Sequence, residues 1–193
     1  MLSGIYTYLD RNVSGILQPD ELLRAEWVAR VSAMDLYFHE LVAQSMLAIF
    51  DGRRPPTPAF STFQISNETM QRIRRAASPS DASAAFDLYV REQLSRTTYQ
   101  AAEGIAEGIR LISTIELWNE IALRLGATPK TKSDAAKNLK LKHSLIVRRR
   151  NTIAHEGDLK QAALREPWPI SQVDVVEVAN HIEQIVRTID SLV

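Results

Sequence analysis

The sequence predicts an all-α fold, a single-domain helical bundle of about five to seven helices, and three observations carry that prediction. Apolar residues recur at three- and four-residue steps along most of the chain, as one face of a helix requires. Prolines fall between the periodic runs rather than inside them. Strand-like alternation is scarce, and neither a convincing repeat nor a glycine-rich phosphate loop is present.

The elements follow in order. From Pro19 a long helix places Leu23, Trp27, Val31, Met34, Phe38, Leu41, Ser45 and Ile49 on one side. Asp20 and Glu21 suit its positive end, and Gly52 is positioned to stop it. Three prolines in RRPPTPAF make residues 53–66 a surface loop. A helix opens near Asn67. After the break at 76–80, another begins with Ser80 as its cap. Periodic spacing then continues through AAEGIAEGIRLISTIELWNEIALRLG to Gly126, where Gly104 and Gly108, one turn apart, mark either a close approach or a break. A polar connector with Pro129 precedes a helix over about 135–156, with Gly157 as its stop. Pro167 and Pro169 bracket the last linker, and the final helix carries Val173, Val176, Ile182, Ile185, Ile189 and Leu192. The whole span 1–193 reads as one domain with its core over about 20–190.

Composition narrows the function classes. Of 193 residues, 45% are apolar and 24% charged, an ordinary globular balance. No stretch approaches the ~20 apolar residues that span a bilayer, and MLSGIYTYLDRN lacks the features of a signal peptide, so a cytoplasmic protein without a membrane partner is expected. The absence of cysteine excludes disulfides, zinc–thiolate sites and cysteine nucleophiles. Net charge is zero, but its distribution is uneven. Residues 130–150 hold Lys130, Lys132, Lys137, Lys140, Lys142, Arg148, Arg149 and Arg150 against Asp134 alone, so the window carries +7 and the rest of the chain −7. Such a local surface can meet a polyanion, and Lys140, Lys142, Arg148 and Arg149 are the candidate RNA contacts.

The chemistry concentrates in IVRRRNTIAHEGD. Ile146, Arg150 and Ile153 share a stripe, which sets a guanidinium on the apolar side of the helix. Asn151 and His155, four residues apart, share a different face, and Arg148 joins them two turns earlier. Histidine transfers protons near neutrality, and arginine braces two phosphate oxygens at once. These are parts for cleaving RNA through its own 2′-hydroxyl, a scheme that needs no metal and no cofactor. His39, His143 and His181 have no spacing suited to a metal. Asp35 is placed either to orient Arg150 or to act as an ordinary interfacial acid. Asp158 either tunes His155 or serves the turn after the helix. Tyr89, Tyr99 and Trp118 fit base stacking and core packing equally well.

The segment RRRNTIAHEGD, with VSAMDLYFHELV and TIELWNEIALRLGATP, resembles the HEPN superfamily, and within it the RiboL-PSP-HEPN branch. The likeness covers about residues 20–190 and is weakest at 53–66 and 130–142. It implies a HEPN-type bundle and a metal-independent endoribonuclease, with Arg150 and His155 catalytic and Asn151 as the polar residue beside the arginine. It also implies a homodimer whose two signature helices line one cleft, in a toxin–antitoxin or anti-phage setting with an antitoxin or defence partner. Three consecutive arginines depart from the simple signature, leaving Arg148 and Arg149 as rivals; adjacency to Asn151 favours Arg150. A non-catalytic helical module that binds RNA, a nucleotide or a partner protein through the same basic face is the alternative.

Overall fold

Around one long helix, α2 (Asp20–Phe50), the other elements are wrapped. The computed structural model describes residues 2–12, 19–160 and 166–193. Among them are α1 (Leu2–Asn12), α3 (Pro58–Ser61), α4 (Asn67–Arg74), α5 (Pro79–Leu94), α6 (Ala102–Ile112), α7 (Leu117–Arg124), α8 (Lys132–Glu156) and α9 (Gln172–Asp190). No strand occurs among the described residues, only an isolated bridge between Leu159 and Pro167. Part of the last predicted linker, residues 161–165, lies outside the described residues, as do residues 1 and 13–18 of the predicted domain span.

The α2 stripe behaves as its spacing requires. Of the expected residues Leu23, Trp27, Val31, Met34, Phe38, Ser45 and Ile49 are buried and Leu41 is half-buried, with Val42 and Met46 buried beside them, and α1, α5, α6, α8 and α9 pack on the helix. Thirty-one residues serving five neighbours need burial on more than one side, and α2 supplies it with Arg24, Glu26, Ala43, Ser45 and Ala48. A single core results, running from Leu23 to Ile189.

The described helices number nine, more than the five to seven expected. The additions are α1, the four-residue α3 inside the proline loop, and a division of the 101–125 run at Ser113–Glu116 into α6 and α7. Short helices at a proline or a loop leave little periodicity to read. The cap of α5 is also corrected: Ser78, not Ser80, accepts the Asp81 N–H, and Pro79 takes the first helical position.

Gly104 and Gly108 resolve to close approach. A Cβ on Gly104 would collide with the Thr98 carbonyl oxygen, and one on Gly108 would strike the Tyr99 ring. The connection Thr98–Gln100 therefore lies directly on α6. From the other side Asp35 grips the same strap, accepting hydrogen bonds from Tyr99 N–H (2.6 Å) and Gln100 Nε2 (3.1 Å). Its neighbour His39, four residues on along α2, sits 3.8 Å away.

Candidate active site at the end of helix α8

Helix α8 ends where Gly157 and then Asp158 turn left-handed, with φ of 66° and 57°, and Asp158 N–H closes on Thr152 O at 3.1 Å. Glycine accepts such a φ without steric cost, and aspartate is among the few other residues that tolerate it. The turn points the Asp158 side chain inward, where it is 1% exposed.

There Asp158 Oδ2 accepts from Arg24 Nε at 3.1 Å and from Arg149 Nη2 at 3.0 Å. Arg24 also donates to Glu21 Oε1 and to the Trp168 carbonyl, while Arg149 donates to the Pro169 carbonyl and lies 5.1 Å over the Trp27 ring. One carboxylate thus ties α2, α8 and the segment before α9 together. Trp27 Nε1–H adds a bond to Ile146 O at 3.1 Å.

The three consecutive arginines of α8 part ways. Arg149 is taken up by the Asp158 node. Arg148 is exposed and makes no side-chain ion pair with any described residue. Arg150 is half-buried beside buried Ile146 and half-buried Ile153, the stripe its spacing required. Its Nε is buried without a partner, and its Nη1 donates to Asn151 Oδ1 at 3.0 Å.

His155 and Asn151 are exposed. At 100° per residue His155 stands about 140° around the helix from Arg150, with Asn151 between them. The Arg150–Asn151 bond therefore draws the guanidinium from the core side toward the histidine side. On the stripe of His155, within about 40° of one line, are Thr152, Arg148, Leu145 and Leu141. Leu141 and Leu145 are 59% and 52% exposed, unusual values on a helix that packs so closely elsewhere. Val173 (66%) and Val176 (47%) at the start of α9 add to the exposed apolar surface.

Other candidates are placed as follows. Asp35 does not brace Arg150. Trp27 pairs with Ile146 and Arg24 with Asp158, so Arg150 faces the first turns of α2, whereas Asp35 lies eight residues beyond Trp27, roughly 12 Å along the axis. The basic window is not one surface either. Lys140 lines a cleft of about 660 Å³ with Arg110 and Trp118, whereas Lys142 lines a groove of about 450 Å³ with Arg148, Arg149 and Trp168. Two residues apart on a helix means about 200° apart in direction. Tyr99 and Trp118 are core, the latter bonded through Nε1 to Ala102 O. Trp168, half-exposed in the groove beside Arg148 and Arg149, is the aromatic that the sequence reading passed over. No group of three metal-ligating side chains occurs among the described residues, and no described helix is long and apolar enough to cross a membrane.

Fold and site together define an all-helical bundle with a basic, histidine-bearing helix end. No family model, curated protein or solved structure matches the chain.

Proposed function

We propose that the chain is a metal-independent endoribonuclease that cleaves RNA by attack of the 2′-hydroxyl, using Arg150, Asn151 and His155. The observation that carries this reading is the end of α8. A guanidinium with no carboxylate partner among the described residues is drawn by Asn151 toward an exposed histidine, while the neighbouring Arg149 is held by Asp158. In the reaction the 2′-oxygen bonds to phosphorus as its proton passes to a base. The bond to the 5′-oxygen breaks as an acid supplies a proton, and arginine stabilises the charge that builds on the non-bridging oxygens.

In-line attack needs the base and the acid on opposite sides of phosphorus, and one helix end presents one histidine. We therefore place a second copy of the chain across the His155 stripe, giving two histidines and two arginines in one groove. Leu141 and Leu145, exposed on that stripe, supply the apolar contact that offsets repulsion between two basic faces. Lys142, Arg148 and Trp168 then border the path of the strand. The resemblance to HEPN proteins suggests a toxin or anti-phage effector.

Purified protein should cut single-stranded RNA in excess chelator and leave 2′,3′-cyclic phosphate ends, and a 2′-deoxy substitution at the cut site should block cleavage. His155→Ala should lower the rate by roughly 10²–10⁴-fold, the range for loss of a proton-transfer group, with RNA affinity retained. Leu145→Glu should yield an inactive monomer. RNA binding without cleavage by the wild-type protein in any assembly state would favour the non-catalytic module, and a fully active monomer would end the two-copy cleft.

A further inference from the structure

Between α8 and α9, about 18 Å along α8 from His155, two histidines are buried side by side. His143 of α8 is 0% exposed and His181 of α9 3%, with ring centroids 5.6 Å apart. His143 Nε2–H donates to the Gln100 carbonyl at 2.6 Å, and a carbonyl only accepts, so the ring is the Nε2–H tautomer and its Nδ1 carries a lone pair. That Nδ1 is buried with no partner, and so is Nε2 of His181. Buried polar atoms are rarely left unpaired, and here two lie on adjacent rings.

The surroundings suit neutral imidazoles. On the α7 side the Trp118 ring lies 5.8 Å from His143. Lys142, next along α8, repels a proton on His181, and the two histidines repel a second charge on each other. The nearest counter-charge from α6 is Glu103, which acts on His143 through space and makes no hydrogen bond with it. Glu177, Glu183 and Arg187 of α9 line the outer groove that His181 and Lys142 also border. Asp35 of α2 is committed to the strap, through Tyr99 N–H and Gln100 Nε2.

We propose that the His143–His181 pair is an acid-sensitive latch, which when neutral locks α8 to the 98–100 strap and to α9, and when protonated opens the α8–α9 seam. A proton on His143 Nδ1 or on the bare nitrogen of His181 would create a buried charge with no acceptor in reach. The release path is visible. His181 already borders the outer groove, where Glu177, one turn back on α9, can receive an imidazolium that swings outward. The latch stands on this geometry and does not depend on the ribonuclease reading.

The direction of the pH effect follows. Burial holds His143 below its ordinary value against the upward pull of the Gln100 carbonyl and Glu103, and burial with His143 and Lys142 pushes His181 down to about 4. Between that value and the ordinary 6.5 the unfolded chain binds more protons than the folded one. Stability is therefore full above about pH 6.5 and is lost as pH falls toward 4.

The test compares wild type with His181→Gln, which cannot titrate, by denaturant unfolding from pH 7.5 to 4.5. The wild-type unfolding equilibrium constant should rise about a hundredfold more than that of the variant. Carboxylate titrations, common to both proteins, cancel in the comparison. Should the variant not fold, imidazole NMR of labelled wild type decides. Both rings should stay neutral at pH 5.5, and α8–α9 amides should lose protection together as His181 titrates. Parallel pH curves for the two proteins, or a His181 that titrates near 6.5 with the seam intact, would overturn the latch.

Discussion

The two sides of the last turns of α8 are built on opposite terms. On one side Asp158 satisfies two guanidinium groups, both of which also bind backbone carbonyls, so the charges are matched and enclosed. On the other side Arg150 has no carboxylate partner among the described residues, its side chain donating only to the Asn151 amide, and His155 and Asn151 stand in solvent. Adjacent arginines of identical chemistry thus fall into an ion-paired node and a site without a carboxylate, because one step along a helix turns a side chain by about 100°. The difference teaches which arginine is free to meet a ligand. Arg149 could leave its node only by giving up a charged hydrogen bond to a buried carboxylate, whereas Arg150 has no such bond to give up.

The sharpest way to break the comparison is to remove the charge at the centre of the closed side. Asp158→Asn keeps the left-handed backbone, which asparagine also tolerates, and keeps an acceptor oxygen. It leaves Arg24, itself 5% exposed, without its buried carboxylate. Loss of one partner from a buried pair costs about 3–5 kcal/mol, so denaturant unfolding should show a loss of that order. A change under 1 kcal/mol would mean that the node is wetter than its burial implies.

Smaller and more discriminating is the pair Arg149→Ala and Arg148→Ala. Arg149→Ala removes one charged hydrogen bond to Asp158, another to Pro169 O and the stacking over Trp27, while Arg24 remains on the carboxylate. A loss of about 1.5–3 kcal/mol is expected. Arg148→Ala should stay within roughly ±0.5 kcal/mol, the range for exposed positions. Equal losses for the two would erase the distinction between the sides of the helix.

How much of this was legible in the sequence depends on the range of the interaction. Spacing placed Ile146 and Arg150 toward the core and Asn151, His155 and Arg148 away from it, because those relations are set within one helix. It marked Gly157 as the stop of α8 for the same reason. What it could not supply was the partner 134 positions away that makes Asp158 structural, or the strap that occupies Asp35. Its lysine count likewise ran together Lys140 and Lys142, which face different cavities. Gly104 and Gly108 left a close approach and a break equally open, and only the fold shows that Thr98 and Tyr99 lie against them. Trp168 carried no periodic signal because it lies outside any helix.

The finest test of the open side concerns Asn151. Its Oδ1 is the acceptor that draws Arg150 across the 140° separating arginine from histidine, and both partners lie at the surface of the helix end. Asn151→Ala should leave stability within about ±0.5 kcal/mol, since an exposed side-chain bond contributes little to folding. RNA cleavage should still fall by about tenfold, because a guanidinium free to relax toward the core is displaced from the phosphate, and small misplacements weigh heavily on rate. The positioning role separates from a direct contact in a double-substitution cycle. If Asn151 acts through Arg150, its replacement should have almost no further effect on residual cleavage in an Arg150→Ala background. Independent, multiplying losses would instead mean that the amide touches the RNA itself, and the open side would then owe its chemistry to three separate groups rather than to one arginine held in place by its neighbour.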